Sequence, residues 1–193
     1  MKGRKQFRNK SFTVNAAKFN GVKTVACFLF SMFISVANGE QPLAPEKTRV
    51  LFVCTGNYYR SRFAEAYLKF VIEQNNLPME TFSRGVAVDL PRDRDVSPFV
   101  VAELAKRNIP LQFVEGFPQQ LSARDLQSAD IVVGLNRAEH QTQIEEMLSQ
   151  GSGKARYWNV RDGGAKPSDS CATIATQVKA MVLEILRKRD GSN

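Results

Sequence analysis

Only three cysteines, one histidine and one tryptophan occur in the 193 residues. One cysteine, Cys27, lies inside an apolar stretch near the N-terminus, so the body holds two, Cys54 and Cys171. Two cysteines are not a disulfide framework, and with the lone His140 they do not make a zinc site of the usual spacing. Repeats and low-complexity tracts are missing too, so the chain is not a repeat array. At 43% apolar and 24% charged residues the composition is that of a globular protein. The length suits one ordinary domain plus an extension.

Acidic residues are absent from one region alone. Residues 1–39 contain no Asp or Glu but seven basic residues: Lys2, Arg4, Lys5, Arg8, Lys10, Lys18 and Lys23. The rest of the chain therefore carries twenty Lys and Arg against all 19 Asp and Glu, and is nearly neutral despite the formal +8. That removes the main sequence argument for a nucleic-acid partner, because counterion release needs a basic face on the folded part.

The basic stretch runs into "VACFLFSMFISVA" (residues 25–37) and then "NGEQPLAPEK", which is small, polar and proline-bearing. This order predicts a secretory signal peptide over residues 1–39, cut near Glu40 after the small residues Ala37 and Gly39. Thirteen apolar residues are too few to span a bilayer comfortably, so no stable membrane insertion is expected once the leader is removed. No adjacent arginine pair marks a twin-arginine signal, and Cys27 lacks a lipoprotein context. The expected location is outside the cytoplasm, secreted or periplasmic. The alternative is an uncleaved membrane anchor, or a start codon placed ahead of a cytoplasmic domain.

A linker over residues 40–48 leads to a domain over 49–190. "RVLFV" reads as a buried strand, followed by a helix with Phe63, Tyr67, Phe70 and Val71 on one face, ended by Asn75, Asn76 and Pro78. "ETFSRG" is a weaker strand. Ser97-Pro98 supplies an N-cap and first-turn proline for a helix carrying Val101, Leu104 and Ala105. Ser122 and Asp125 have capping-box spacing. "DIVVGL" and "ARYWNV" are two more strands, with Asn136 and Glu139 expected to cap the helix between them. The last helix has the clearest stripe, Ile174, Val178, Met181, Val182, Ile185 and Leu186, with Arg187, Lys188 and Arg189 at the negative end of its dipole. Strands separated by helices predict an α/β three-layer sandwich of flavodoxin-like form, a four-stranded parallel sheet with helices on both faces. In such folds the site lies beyond the carboxyl ends of the strands, where Cys54 sits.

Between that strand and the next helix runs "CTGNYYRS", residues 54–61. Such a loop at a helix N-terminus can turn successive backbone N–H groups onto one point, an anion nest aided by the helix dipole. Gly56 permits a positive φ, and Asn57 is the next most tolerant residue of left-handed geometry. The amides of Thr55, Gly56, Asn57, Tyr58, Tyr59 and Arg60 are the expected oxyanion ligands. Arg60 adds a planar fork for two oxygens. Cys54 in so positive a setting is expected as a thiolate, with Ser61 donating a hydrogen bond to it. These parts suit covalent phosphoryl transfer through a cysteinyl-phosphate, with no metal or organic cofactor.

"VCTGNYYRSRFAEAYL" and "QQLSARDLQSADIVVGLNRAEH" together resemble the low-molecular-weight protein tyrosine phosphatase family. The first fits its Cys-x5-Arg-Ser loop, with Ala64-Glu65 in the following helix, and the likeness covers most of residues 49–189. The resemblance implies a phosphomonoester hydrolase acting on a phosphotyrosine protein or a small aryl phosphate, while the sequence leaves the oligomeric state open, with a monomer as the default. It also implies a general acid from an Asp-Pro-Tyr-like loop before the last helix. Here that loop reads "NVRDGGAKPSDS", so Asp162 takes the acid's place while Gly163 and Gly164 stand where proline and tyrosine are expected. Asp169 is the competing acid, or else a cap of the last helix. Tyr58 is either aromatic surface for the cleft or a packed loop residue.

Tyr59 replaces a second cysteine that many family members carry, which implies a nucleophile without disulfide protection. Cys171 is either a distant partner for Cys54 or a small buried helix residue. His140 reads as a surface or capping residue, and Asp125 and Asp130 as structural. Two other functions remain open. An arsenate reductase of the thioredoxin-coupled kind shares loop and fold but needs relay cysteines that "SRGVAVDLPRDRD" lacks. A catalytically silent phosphate-binding or phosphoprotein-binding module would keep the nest without the acid.

Overall fold

The computed structural model describes residues 46–89, 95–114, 116–148, 153–162 and 166–191. The chain divides into two units, Met1–Gln41 and Pro42–Asn193, and every described residue belongs to the second. The expected leader over residues 1–39, residues 40–45 of the expected linker, and Gly163 and Gly164 lie outside the described residues.

Four strands, β1 (Thr48–Cys54), β2 (Met79–Gly85), β3 (Ile131–Gly134) and β4 (Ala155–Tyr157), form one sheet in the order β2-β1-β3-β4. All three pairings are parallel, as the alternation of strands and helices requires. Val50 to Val53 of β1 are wholly buried because both faces of the central strand are covered, hence a continuous apolar run. Alternation divides them. Val50, Phe52 and Cys54 face one core with α1 (Arg60–Asn75), α2 (Pro98–Lys106) and α5 (Pro167–Asp190). Leu51 and Val53 face another with Leu126 of α3 (Ala123–Ser128) and Ile144 of α4 (Arg137–Met147). The three layers match the expected fold.

Most helix ends follow their sequence signals. Asn76 stops α1 in left-handed geometry at φ 47°, Ser97 accepts from the Phe99 N–H, and Ser122 and Asp125 form the reciprocal capping box. Three expectations need correction. On α2 the buried pair is Val100 and Leu104, while Ala105 is exposed, because the helix turns its stripe one residue earlier. Asp169 does not cap α5. Lys166 holds that position and Asp169 lies exposed in the first turn. Asn136 makes no side-chain cap on α4. Its own N–H donates to His140 Nδ1 at 3.0 Å instead, so the imidazole one turn on performs the cap.

Candidate active site

Cys54 ends β1 and Arg60 opens α1, so the loop between them sits at the carboxyl edge of the central strand. The carbonyls of Cys54, Thr55 and Tyr58 are engaged by the amides of Val86, Ala87 and Ser97, at 2.9–3.0 Å. These bonds fasten the loop to the segment after β2. Asn57 takes φ 47°, the left-handed geometry its residue type permits. Its fully buried side chain is the loop's internal strut. Nδ2 donates to Ser61 Oγ at 3.0 Å and Ser83 Oγ at 2.7 Å, while Oδ1 accepts from the Gln119 N–H at 2.8 Å.

That network sets the direction of the next bonds. Ser83 accepts from Asn57 and donates to the Glu65 carboxylate at 2.6 Å. Ser61 likewise accepts from Asn57, which leaves its single hydroxyl hydrogen for Cys54 Sγ, 3.0 Å away.

Arg60 is 3% exposed, and its guanidinium is spoken for along one edge. Nη1 and Nη2 donate to Glu139 Oε1 and Oε2 at 3.1 and 2.6 Å, and Nη1 also donates to the Val160 carbonyl at 3.1 Å. Nε lies 3.8 Å from Asp162 Oδ1, so the edge bearing Nε is the one turned toward that carboxylate. Burial works against the guanidinium charge, but the Glu139 hydrogen bonds and the nearby Cys54, Glu139 and Asp162 more than offset it and raise its pKa. Burial opposes the Glu139 charge as well. Arg60, first by hydrogen bonding and then by charge, outweighs this and holds the carboxyl below its usual range.

His140 is wholly buried, which corrects the surface reading and upholds the capping one. Nε2 lies 3.2 Å from Thr55 Oγ1 while Nδ1 accepts the Asn136 N–H. Burial, helped by the Arg60 charge, pushes its pKa down to about 4, so it is neutral at pH 7.

A cavity of about 400 Å³ opens over this arrangement. Cys54, Thr55, Gly56, Tyr58, Tyr59, Arg60 and Asp162 all line it, together with Ala87, Ser97, Phe99 and Pro167. Asn57 and Ser61 lie beneath it, fully buried, and support the loop through their side chains. The structure thus brings the expected nucleophile, the arginine and the expected acid to one cavity, while Asp169 is not among its lining residues. Asp125 pairs with Arg84 and Asp130 accepts the Arg49 N–H at 2.7 Å, both structural uses. Cys171 is buried and free of any disulfide, with the Tyr59 hydroxyl at 3.5 Å. Burial pushes its thiol up to about 11. Among the described residues no group of three or more His, Cys, Asp or Glu could hold a metal.

Sequence reading missed Glu139 as the partner of Arg60, His140 behind Thr55, and the Ser83–Glu65 pair behind Asn57. It also missed Gly85. A Cβ there would stand 2.7 Å from the Thr55 carbonyl oxygen and 2.8 Å from the Asn57 nitrogen, so the loop closes against a bare backbone. One signal was available: Glu139 and His140 follow the carboxyl end of β3, the same side of the sheet as Cys54.

The family model described as low molecular weight phosphotyrosine protein phosphatase matches residues 49–164. The chain belongs to that family. A protein-arginine-phosphatase of Bacillus subtilis (strain 168) is 33% identical over 92 residues, 48% of this chain and 58% of that protein. The match thus spans less than two thirds of this curated relative. Among solved structures, that of YfkJ from Bacillus subtilis superposes with a TM-score of 0.67 at 19% identity, over 74% of this chain and 97% of its own. A thioredoxin-dependent arsenate reductase of Corynebacterium glutamicum gives 0.59 at 18% identity, over 76% and 65%. At such identities both structures speak to the phosphatase-family fold alone.

Proposed function

We propose that the chain is a protein tyrosine phosphatase that works through a cysteinyl-phosphate. The observation that carries this reading is the placement of Cys54 Sγ, Arg60 and Asp162 on one cavity, with Ser61 Oγ 3.0 Å from the sulfur. The Cys54 thiolate attacks phosphorus, and the phosphorus–oxygen bond to the phenol breaks as the phosphorus–sulfur bond forms. Arg60, through its Nε edge, and the loop amides hold the equatorial oxygens, whose charge spreads in the transition state. Asp162 gives its proton to the departing phenolate oxygen. It then takes one from the water that displaces sulfur, releasing inorganic phosphate and returning the thiolate. Glu139 supports Arg60, while Asn57 and Ser61 keep the loop and thiolate in order. No metal or organic cofactor enters these steps.

Hydrolysis of an aryl phosphate by the reduced protein tests the reading. Cys54→Ser is expected to abolish turnover. Asp162→Asn should lower it by two orders of magnitude or more, the usual worth of a general acid. Loss of turnover in neither variant sinks the mechanism. Retention of phosphate or vanadate with no product would favour the silent binding module. The curated relative's name favours a second substrate class, phosphoarginine, and kcat/KM on phosphotyrosine and phosphoarginine peptides decides between them. An arsenate reductase is disfavoured because Cys171, the other cysteine outside the leader, is buried against Tyr59 with its pKa raised.

The make-up of residues 1–39 supports export of the enzyme, which we propose as well. N-terminal sequencing of the mature protein should begin near Glu40. A start at Met1 overturns the proposal.

A further inference from the structure

Tyr59 immediately precedes Arg60, yet its hydroxyl bonds to another part of the chain. It donates to the Pro167 carbonyl at 2.5 Å and lies 3.5 Å from Cys171 Sγ. Pro167 is the first residue of α5, so this bond ties the nucleophile loop to the start of the last helix. The next residue makes a matching tie, since Arg60 Nη1 donates to the Val160 carbonyl at 3.1 Å. Two consecutive side chains therefore grip Val160 and Pro167, the two ends of the stretch that carries Asp162. A third bond, from Ser170 Oγ to the Arg161 carbonyl at 3.0 Å, returns from α5 to the residue beside the acid.

The sequence of that stretch explains why its ends matter. Asp162 is followed by Gly163, Gly164 and Ala165, none of which restricts the backbone as a proline would. The bonds from Arg60 to Val160 and from Tyr59 to Pro167, with the Arg60 Nε contact at 3.8 Å, therefore bear on where Asp162 stands. A general acid off by about 1 Å can cost two orders of magnitude in rate.

We propose that Tyr59 is a positioning residue for the general acid, its hydroxyl bond to Pro167 setting where Asp162 stands over Cys54. The inference rests on the phosphatase reading and adds to it the residue that stands where a protective cysteine was expected. Burial, with the hydrogen bond to Cys171, raises the phenol's pKa above its ordinary value, so the hydroxyl remains a donor across the physiological range.

The leaving group reads out acid placement. Protonation of the departing oxygen matters most when the phenol released is a weak acid. Tyr59→Phe keeps the ring and removes the hydroxyl, with its bond to Pro167 and its contact to Cys171. It is expected to lower kcat/KM roughly tenfold for phenyl phosphate, and distinctly less for 2,4-dinitrophenyl phosphate. Asp162→Asn should show the same steepening, larger in size. In the double variant the Tyr59 change should add almost nothing, because it acts through Asp162. Equal losses on both substrates, or a full additional loss on top of Asp162→Asn, overturn the proposal. An Asp162→Asn protein indifferent to the leaving group overturns it too, since no acid is then being positioned.

Hydrogen–deuterium exchange separates this failure from failure of the phosphatase reading. Faster exchange in Tyr59→Phe at residues 161–162 and 168–171, with β1 unchanged, upholds the tie even if the wild-type chain turns over no phosphate ester. Unchanged exchange there overturns it whatever the activity.

Discussion

Cys54 is flanked by a hydroxyl rather than by a second thiol, and this sets its response to oxidants. A sulfenic acid formed there has Ser61 at hydrogen-bond distance, while Cys171 is buried against the Tyr59 hydroxyl. Peroxide treatment is therefore expected to add oxygen to the Cys54 peptide up to the sulfinic level, with activity no longer restored by dithiothreitol. A Cys54–Cys171 disulfide in the mass spectrum would refute this. Arg60 gives a second prediction at the same scale. Glu139 takes two of its donors, so Glu139→Gln weakens a charge-assisted pair and loosens the fork. Vanadate binding should fall by about tenfold, the worth of one such bond. Unchanged or tighter binding would mean that Glu139 competes with the anion instead of orienting its ligand.

Gly85 belongs to the scale of elements, because it is where the end of β2 meets the loop after β1. The Cβ of Gly85→Ala would collide with the Thr55 carbonyl and the Asn57 amide, both backbone atoms that cannot swing aside. Activity should drop by far more than the urea midpoint does. A fully active Gly85→Ala enzyme would show that the loop tolerates displacement. By contrast, the capping box of α3 lies away from the cavity. Ser122→Ala is expected to cost about 1 kcal/mol in chemical denaturation and leave kcat/KM unchanged, as for other exposed caps.

For the molecule as a whole, His140 makes stability depend on pH in a defined window. Its pKa is about 4 in the folded chain against an ordinary 6.5, so the unfolded chain binds the proton first as pH falls. Its contribution is complete above pH 6.5 and is lost progressively down to about 4, to the extent of roughly 3 kcal/mol. Glu103, Asp125 and Glu139, with carboxyl pKa values held low, add losses of the same sign at lower pH. Urea midpoints at pH 7 and pH 4.5 check this. His140→Gln should narrow the difference between them, and an unaltered difference would show that the imidazole is not the group responsible.

Sequence by itself determined the layered fold and the loop from Cys54 to Ser61. The continuous apolar run of β1, the capping signals at Ser97 and Ser122, and the stripe of α5 are local patterns. Burial and backbone geometry translate these directly into elements. Cys54, Asn57, Arg60 and Ser61 were legible for the same reason, being neighbours in one short loop with one chemical purpose. Only the tertiary structure decided what backs them: Glu139 against Arg60, His140 behind Thr55, Ser83 and Glu65 behind Asn57, and Tyr59 reaching Pro167. Apart from Glu65, these partners come from segments 26 to 108 residues away. Distance and direction in space, which no spacing along the chain records, select them.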